Sequence, residues 1–140
     1  MHVLVVDNDR DNSDLVFHAL SNAGYEVFQA SDVADALRLS HRHPDIGVVV
    51  TDMRLDHQIT GLEMAGKMRL NLCNSHYILT SGDWDALNPI CPHDMSVLLK
   101  PYGKADLLRA VRQGVARRLA VTTLPPCAIQ RQQRSALLLA

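Results

Sequence analysis

Four features that would settle the character of a chain quickly are missing here. Charge of one sign is not in excess: 14 Lys and Arg stand against 15 Asp and Glu, and the formal charge of −1 gives no general attraction to nucleic acid. No run of about 18 uncharged apolar residues occurs, so a chain with 47% apolar residues reads as globular and not as membrane-spanning. Met1 leads almost directly into VLVV with no basic segment and no small-residue cleavage site, so no secretory signal is recognised and the expected location is the cytoplasm. The cysteines Cys73, Cys91 and Cys127 are odd in number, widely spaced and never in a C-x-x-C pair, which argues against a disulfide framework and a zinc knuckle and leaves them as reduced thiols.

What is present is periodic. At 140 residues the chain fits one domain with a substantial core. Five apolar runs, HVLVV (2 to 6), YEVFQA (25 to 30), IGVVVT (46 to 51), HYILT (76 to 80) and SVLLK (96 to 100), read as strands. Between them, helical faces are formed by Leu15, Val16, Ala19, Leu20 and Ala23, by Val33, Ala36, Leu37 and Ser40, and by Leu62, Ala65, Met68 and Leu72. Leu108, Val111, Val115 and Leu119 repeat the pattern after the fifth run, whereas Pro89 and Pro92 permit only a short helix between the fourth and fifth. Strands alternating with helices imply βαβ units. The unalternating GVVV suits the centre of a parallel sheet covered on both faces, and the expected architecture is an α/β, (βα)5 doubly wound fold.

Such sheets place their chemistry beyond the carboxyl ends of the strands. Those ends are Asp7-Asn8-Asp9, Asp52, Thr80-Ser81 and Lys100-Pro101. Each has an ordinary reading: an Asp after a strand is commonly a cap or turn former, Thr80-Ser81 could cap a helix, and Lys100 could be a solvated charge. Four such accidents on one rim are less probable than one site. Asp11 and Asp14 add to the acid crowding at the start, the one charge anomaly of the chain.

In order, VLVVDND, VVVTDMRL, ILTSG and LLKPY resemble the receiver domain of two-component response regulators, over residues 1 to 120. The resemblance implies a five-stranded sheet in flavodoxin-like order 2-1-3-4-5 and a cis Lys100-Pro101 bond. It implies that Asp52 accepts a phosphoryl group from a phosphohistidine on a sensor histidine kinase or phosphotransfer protein. Mg²⁺ would be held by Asp7, Asn8, Asp52 and the backbone carbonyl of Arg54, with Asp9 nearby; Thr80 would follow the phosphoryl group and Lys100 would pair with it. The output implied is a switched surface for a downstream protein target, with no direct contact to nucleic acid or membrane, no enzymatic turnover beyond the domain's own phosphorylation and dephosphorylation, and a homodimer left open. The chemistry agrees, because phosphoryl transfer to a carboxylate needs an ionised oxygen in line and cations on the equatorial oxygens.

Three departures from the family pattern stand out. Asn8 replaces the second acid, which removes one formal charge from the metal site. RLDHQIT between Asp52 and Gly61 replaces the usual proline-glycine turn and is a residue longer than its commonest form. Val97, three residues before Lys100, stands where many receivers place an aromatic switch.

Other features point elsewhere less strongly. His41-Arg42-His43 has H-x-H spacing but ends a helix, where cations favour the dipole. Cys91-Pro92-His93 lacks further ligands at zinc spacing. Arg109, Arg112, Arg117 and Arg118 make the last helix basic. Residues 121–140 fit no receiver element and read as a tail or truncated linker, or as an arm that docks through ALLLA. Two rival functions stay open: a haloacid-dehalogenase-type phosphatase with Asp7 as nucleophile and Asp9 as general acid, and a receiver-like binding module that works without phosphorylation.

Overall fold

The computed structural model describes residues 1–54, 60–72, 74–82 and 94–121, with side chains set aside at position 62 and at positions 118–121. Five strands form: β1 (His2–Val6), β2 (Glu26–Ala30), β3 (Ile46–Asp52), β4 (His76–Ser81) and β5 (Met95–Leu99). All are parallel, in the order β2-β1-β3-β4-β5. The helices are α1 (Arg10–Asn22), α2 (Val33–Arg42), α3 (Gly61–Met68) and α4 (Lys104–Val121). Expected strand positions hold to within a residue, and the Lys100–Pro101 peptide is cis.

Side chains alternate across a strand, so a run that is apolar throughout must find cover on both faces. Leu4, Val6, Val49 and Leu79 pack under α2 and α3 against Ala36, Met64 and Met68. Val3, Val5, Val48, Val50 and Ile78 pack on the other side under α1 and α4, against Val16, Leu20, Leu107 and Val111. The chain leaves β1 in one direction to form β2 and then returns past it to form β3, which opens a crevice at the carboxyl ends of β1 and β3.

Local signals start the helices on time. Asp9 and Asp32 cap α1 and α2 through backbone amides of their first turns, and Thr60 accepts from the Glu63 amide at 3.1 Å to start α3. His41 and Arg42 lie in the last turn of α2, as read from the sequence, and the ring of His43 stacks on Phe28 with centroids 4.2 Å apart. Where α3 ends, Arg69 makes a two-pronged ion pair with Asp94 at 2.8 and 2.7 Å, tying the helix to the entry of β5. Burial opposes the Arg69 charge, but the hydrogen bonds and charge of Asp94 outweigh it and hold the guanidinium pKa above its usual value.

One helical face differs from its expected form. Leu15 is 70% exposed and Ala23 is exposed, while Ser13, Val16 and Leu20 carry the burial of α1. Adjacent positions on a helix are about 100° apart, so a stripe through Ser13, Val16 and Leu20 leaves Leu15 pointing outward. In α4 the buried pair is Leu107 and Val111, with Leu108 and Val115 partly covered. The expected short helix before β5, the loop at 55–59, the three cysteines and residues 122–140 lie outside the described residues. No helix among the described residues is long and apolar enough to cross a membrane.

Two glycines should respond to alanine with opposite signs. In α4, a Cβ on Gly114 would stand 2.9 Å from the buried ring of His76, which is held by Ser96 at 2.9 Å. Gly66 in α3 meets nothing within 4 Å. Gly66→Ala should therefore stabilise the fold by about 0.5–1 kcal/mol. Gly114→Ala should destabilise it by roughly 1 kcal/mol, because overpacking outweighs the same propensity gain. Urea melts of the two variants check the signs.

Candidate functional site

The acid at the end of β3 is placed by the strand that carries it. The first six residues of β3 are buried and Asp52 is half-buried, its side chain 17% exposed, so the backbone cannot retreat and the carboxylate emerges at the rim. Asp52 is in register with Thr80 on β4, and Met53 donates its amide to the Thr80 carbonyl at 2.9 Å. Lys100 follows β5 directly, and its amide is bound to the Ser81 carbonyl at 2.8 Å. These ties bring Lys100 Nζ to 3.2 Å from Asp52 Oδ2 across 48 residues of sequence. The other oxygen, Oδ1, accepts the Arg54 amide at 3.3 Å.

Two contacts fix the backbone behind the acceptor. Arg54 and Thr60 form an antiparallel bridge, so the ends of the unusual loop are pinned together whatever lies between them. Gly61 donates to the Met53 carbonyl at 2.7 Å and lies so close that a Cβ there would stand 2.4 Å from the Asp52 carbonyl oxygen. Only glycine permits that approach.

Asp7 is 5% exposed at the end of β1 and lines one cleft of about 580 Å³ with Asn8, Asp9, Asn12, Asp52, Lys100 and Tyr102. Its Oδ1 accepts the Asp9 amide at 2.8 Å, and its Oδ2 accepts the side-chain amide of Asn12. Asp9 turns its carboxylate to the start of α1, accepting from Asp11 N at 3.1 Å and Asn12 N at 3.4 Å. Asn8 is exposed beside them. Thr80 is 2% exposed, and its hydroxyl donates a long 3.5 Å bond to the Thr51 carbonyl. The arrangement thus gathers Asp7, Asn8, Asp9, Asp52 and Lys100 in one cleft, while Thr80 sits under its floor in register with Asp52.

Oxygen donors of this kind suit Mg²⁺. Asp7 and Asp52 could offer two carboxylates and Asn8 an amide oxygen from the same cleft, with the Arg54 carbonyl two residues beyond the acceptor; a hard cation that keeps several waters would need no more. Among the described residues no group of three or more His, Cys, Asp or Glu is arranged to hold a metal. The phosphatase alternative fits this geometry poorly. Asp9 caps a helix, and the lysine pairs with Asp52 instead.

Two residues of the cleft escaped the sequence reading. Asn12 has no periodic or motif signal, and Tyr102 sits in LLKPY without an assigned role. The Tyr102 hydroxyl is buried beside the Asn12 side chain. Burial pushes its pKa up, although the nearby Asn12 amide and the Lys100 charge pull the other way, so it stays a neutral phenol.

Gly61→Ala tests the close approach behind the acceptor. It should destabilise the fold by about 2 kcal/mol, because the neighbour that must give way is backbone. A thermal melt reads the loss, and a crystal structure of the variant should show the Asp52 backbone displaced; an unmoved backbone at full stability would contradict the account.

Comparison with known proteins agrees with this geometry. Residues 3–112 match the family model of the response regulator receiver domain. The chain is 29% identical over 125 residues to the transcriptional regulatory protein KdpE of Mycobacterium tuberculosis, covering 87% of this chain and 54% of KdpE. The chain spans about half the length of the curated relatives it matches. Among solved structures, one described as an adenylate cyclase from Rhodopirellula baltica superimposes with a TM-score of 0.78 at 26% identity, over 87% of this chain and 92% of that one. A response regulator receiver domain protein from Clostridium thermocellum gives 0.75 at 24% identity, over 86% and 98%, and there the likeness is one of fold. With the family model spanning residues 3–112 and the sheet order and rim of acids and lysine already in place, the chain belongs to the response regulator receiver domains of two-component signalling.

Proposed function

We propose that the domain takes a phosphoryl group on Asp52 from a phosphohistidine of a sensor histidine kinase or phosphotransfer protein, and that the modified rim alters a surface recognised by a downstream protein. The observation that carries this reading is the Lys100–Asp52 pair at 3.2 Å, formed by two strand ends at the lip of an open cleft.

Asp52 keeps a lone pair on each oxygen after bonding Lys100 and the Arg54 amide, so either can attack phosphorus in line. The new bond is Asp52 oxygen to phosphorus; the bond that breaks joins phosphorus to the imidazole nitrogen, and the imidazole leaves with its electron pair. Lys100 stands where negative charge grows and can move from the carboxylate to a phosphoryl oxygen without leaving the cleft. Mg²⁺, held by Asp7, Asn8, Asp52 and the Arg54 carbonyl, would supply the remaining positive charge on the equatorial oxygens. Thr80 has only a long bond to give up when it turns toward a new acceptor. Val97 is half-buried and carries no ring, so an aromatic rotation at that position plays no part in the readout.

Asp52→Asn should abolish labelling by acetyl phosphate while leaving the melting temperature within a few degrees, because the change is nearly isosteric and removes the nucleophile. Hydroxylamine-sensitive label on the variant would refute the assignment. A domain that works without phosphorylation would show no label on wild type either.

Asn8→Asp restores the missing charge. It should tighten Mg²⁺ binding roughly tenfold, since charge count tunes oxygen-ligand sites, and should lower stability without metal because clustered carboxylates repel. Calorimetric Mg²⁺ titration and metal-free melts read both effects; equal Mg²⁺ affinity would place Asn8 outside the metal shell.

A further inference from the structure

Between α1 and α4 runs an open groove of about 380 Å³, within the range over which concave sites hold ligands. Leu15, Val16, Ala19 and Leu107 make its lining largely apolar, and Leu15 is left 70% exposed there. An exposed leucine on its own is ordinary; one that borders a concave apolar surface marks a place where something docks. The chain carries a segment of matching chemistry. Leu137, Leu138 and Leu139 stand together between alanines, and no charged residue follows Arg134. Three adjacent leucines are as poorly placed in water as the groove is.

We propose that residues 122–140 act as an arm that folds back along α4 and seats Leu137, Leu138 and Leu139 in the groove between α1 and α4, closing it to other partners. Reach permits it. Pro125-Pro126 cannot continue α4, so the chain has to leave the helix axis soon after Val121. From Leu107 to Val121 the helix runs about 21 Å, and the stretch from 122 to 136 spans about 50 Å when extended and about 22 Å even if helical. Tethering decides the occupant. A segment joined to α4, which is one wall of the groove, is held beside it at an effective concentration in the millimolar range, so a contact of three leucines too weak for a free partner is populated. A second copy of the domain docking groove to groove would instead set the exposed cations Lys104, Arg109 and Arg112 against the same set. The proposal goes beyond the chemistry at Asp52 and does not depend on it. Asn12 and Tyr102 nevertheless line both the groove and the cleft, so the arm and a ligand in the cleft act on the same two side chains, and any coupling between them is reciprocal.

The test uses the full chain. Methyl NMR of wild type should show NOE contacts from Leu137, Leu138 and Leu139 to Leu15, Ala19 and Leu107. Replacing the three leucines of the arm together by serine should remove these contacts and shift the groove resonances, while Ala36 and Met64 on the opposite face of the sheet keep theirs. Leu15→Asp leaves the arm's own sequence intact and puts a charge in the groove. It should speed trypsin cleavage after Arg134 at least about fivefold, because proteolysis follows the population of the open form. The Leu15 side chain is exposed, so the change spares the core, and circular dichroism verifies the fold. Groove shifts that fade on dilution would assign the groove to a second copy and overturn the proposal. So would groove resonances indifferent to the serine variant, or cleavage of Leu15→Asp no faster than that of wild type.

Discussion

A carboxylate at the end of a buried strand has to be stabilised by something, and the ammonium of Lys100 is what the fold brings to it. Asp52 follows six buried residues of β3 and is only 17% exposed, so water alone solvates it poorly. Its cationic partner comes from 48 residues away and can arrive only if β5 lies beyond β4 with its end at the same rim. The order β3-β4-β5 and the ties from Met53 to Thr80 and from Lys100 to Ser81 are thus conditions of the site as well as features of the sheet. The pair is partly open to solvent, and its contribution to folding is correspondingly modest. Its value lies in placing a positive charge where a phosphoryl group would add negative charge.

The other half of the cleft is built on different terms. On the β1 side the acids are stabilised by amides: the Asp9 and Asn12 donors on Asp7, and the first turn of α1 on Asp9. An acid satisfied by neutral donors can release one of them to a cation more readily than an acid satisfied by a lysine. On the proposed reading the cleft therefore has one side that would receive a metal and one already cationic, which would match the charge that grows on a transferring phosphoryl group. On the same reading Asn8 would lower the attraction of the first side without disturbing the second.

Much of this was legible because burial leaves a strong mark on sequence. Strands covered on both faces cannot alternate, so IGVVVT announced itself, and parallel strands in a doubly wound sheet put their last residues on one rim, so Asp7, Asp52, Thr80 and Lys100 could be grouped before any coordinates. Leu15 misled because an apolar residue beside Val16 fits a generous helical stripe, and only the packing on β1 and β2 shows that the stripe runs through Ser13. Asn12 and Tyr102 were illegible for a deeper reason. Their relation exists only after α1 and the segment following β5 have been brought together, and neither residue type nor spacing records it. Gly61 sat in plain view, but the requirement it meets is a 2.4 Å approach of its would-be Cβ to the carbonyl of Asp52, nine positions earlier at the end of β3.

The absence of a ring at Val97 shapes what a change at the rim can do. On the proposed reading, with that route closed, a movement of Thr80 would leave the cleft through backbone. The Thr80 carbonyl holds Met53, and the neighbouring Ser81 carbonyl holds Lys100, so a displacement at the end of β4 is passed to the acceptor strand on one side and to β5 on the other. Beyond Lys100 and Pro101 stands Tyr102, which belongs both to the cleft and to the groove between α1 and α4. Leu15, turned outward and 70% exposed, lines that groove. On the proposed reading, a phosphoryl group that draws Lys100 and Thr80 inward pulls on the segment carrying Tyr102, and the apolar groove beside α1 is the described surface mechanically nearest to it.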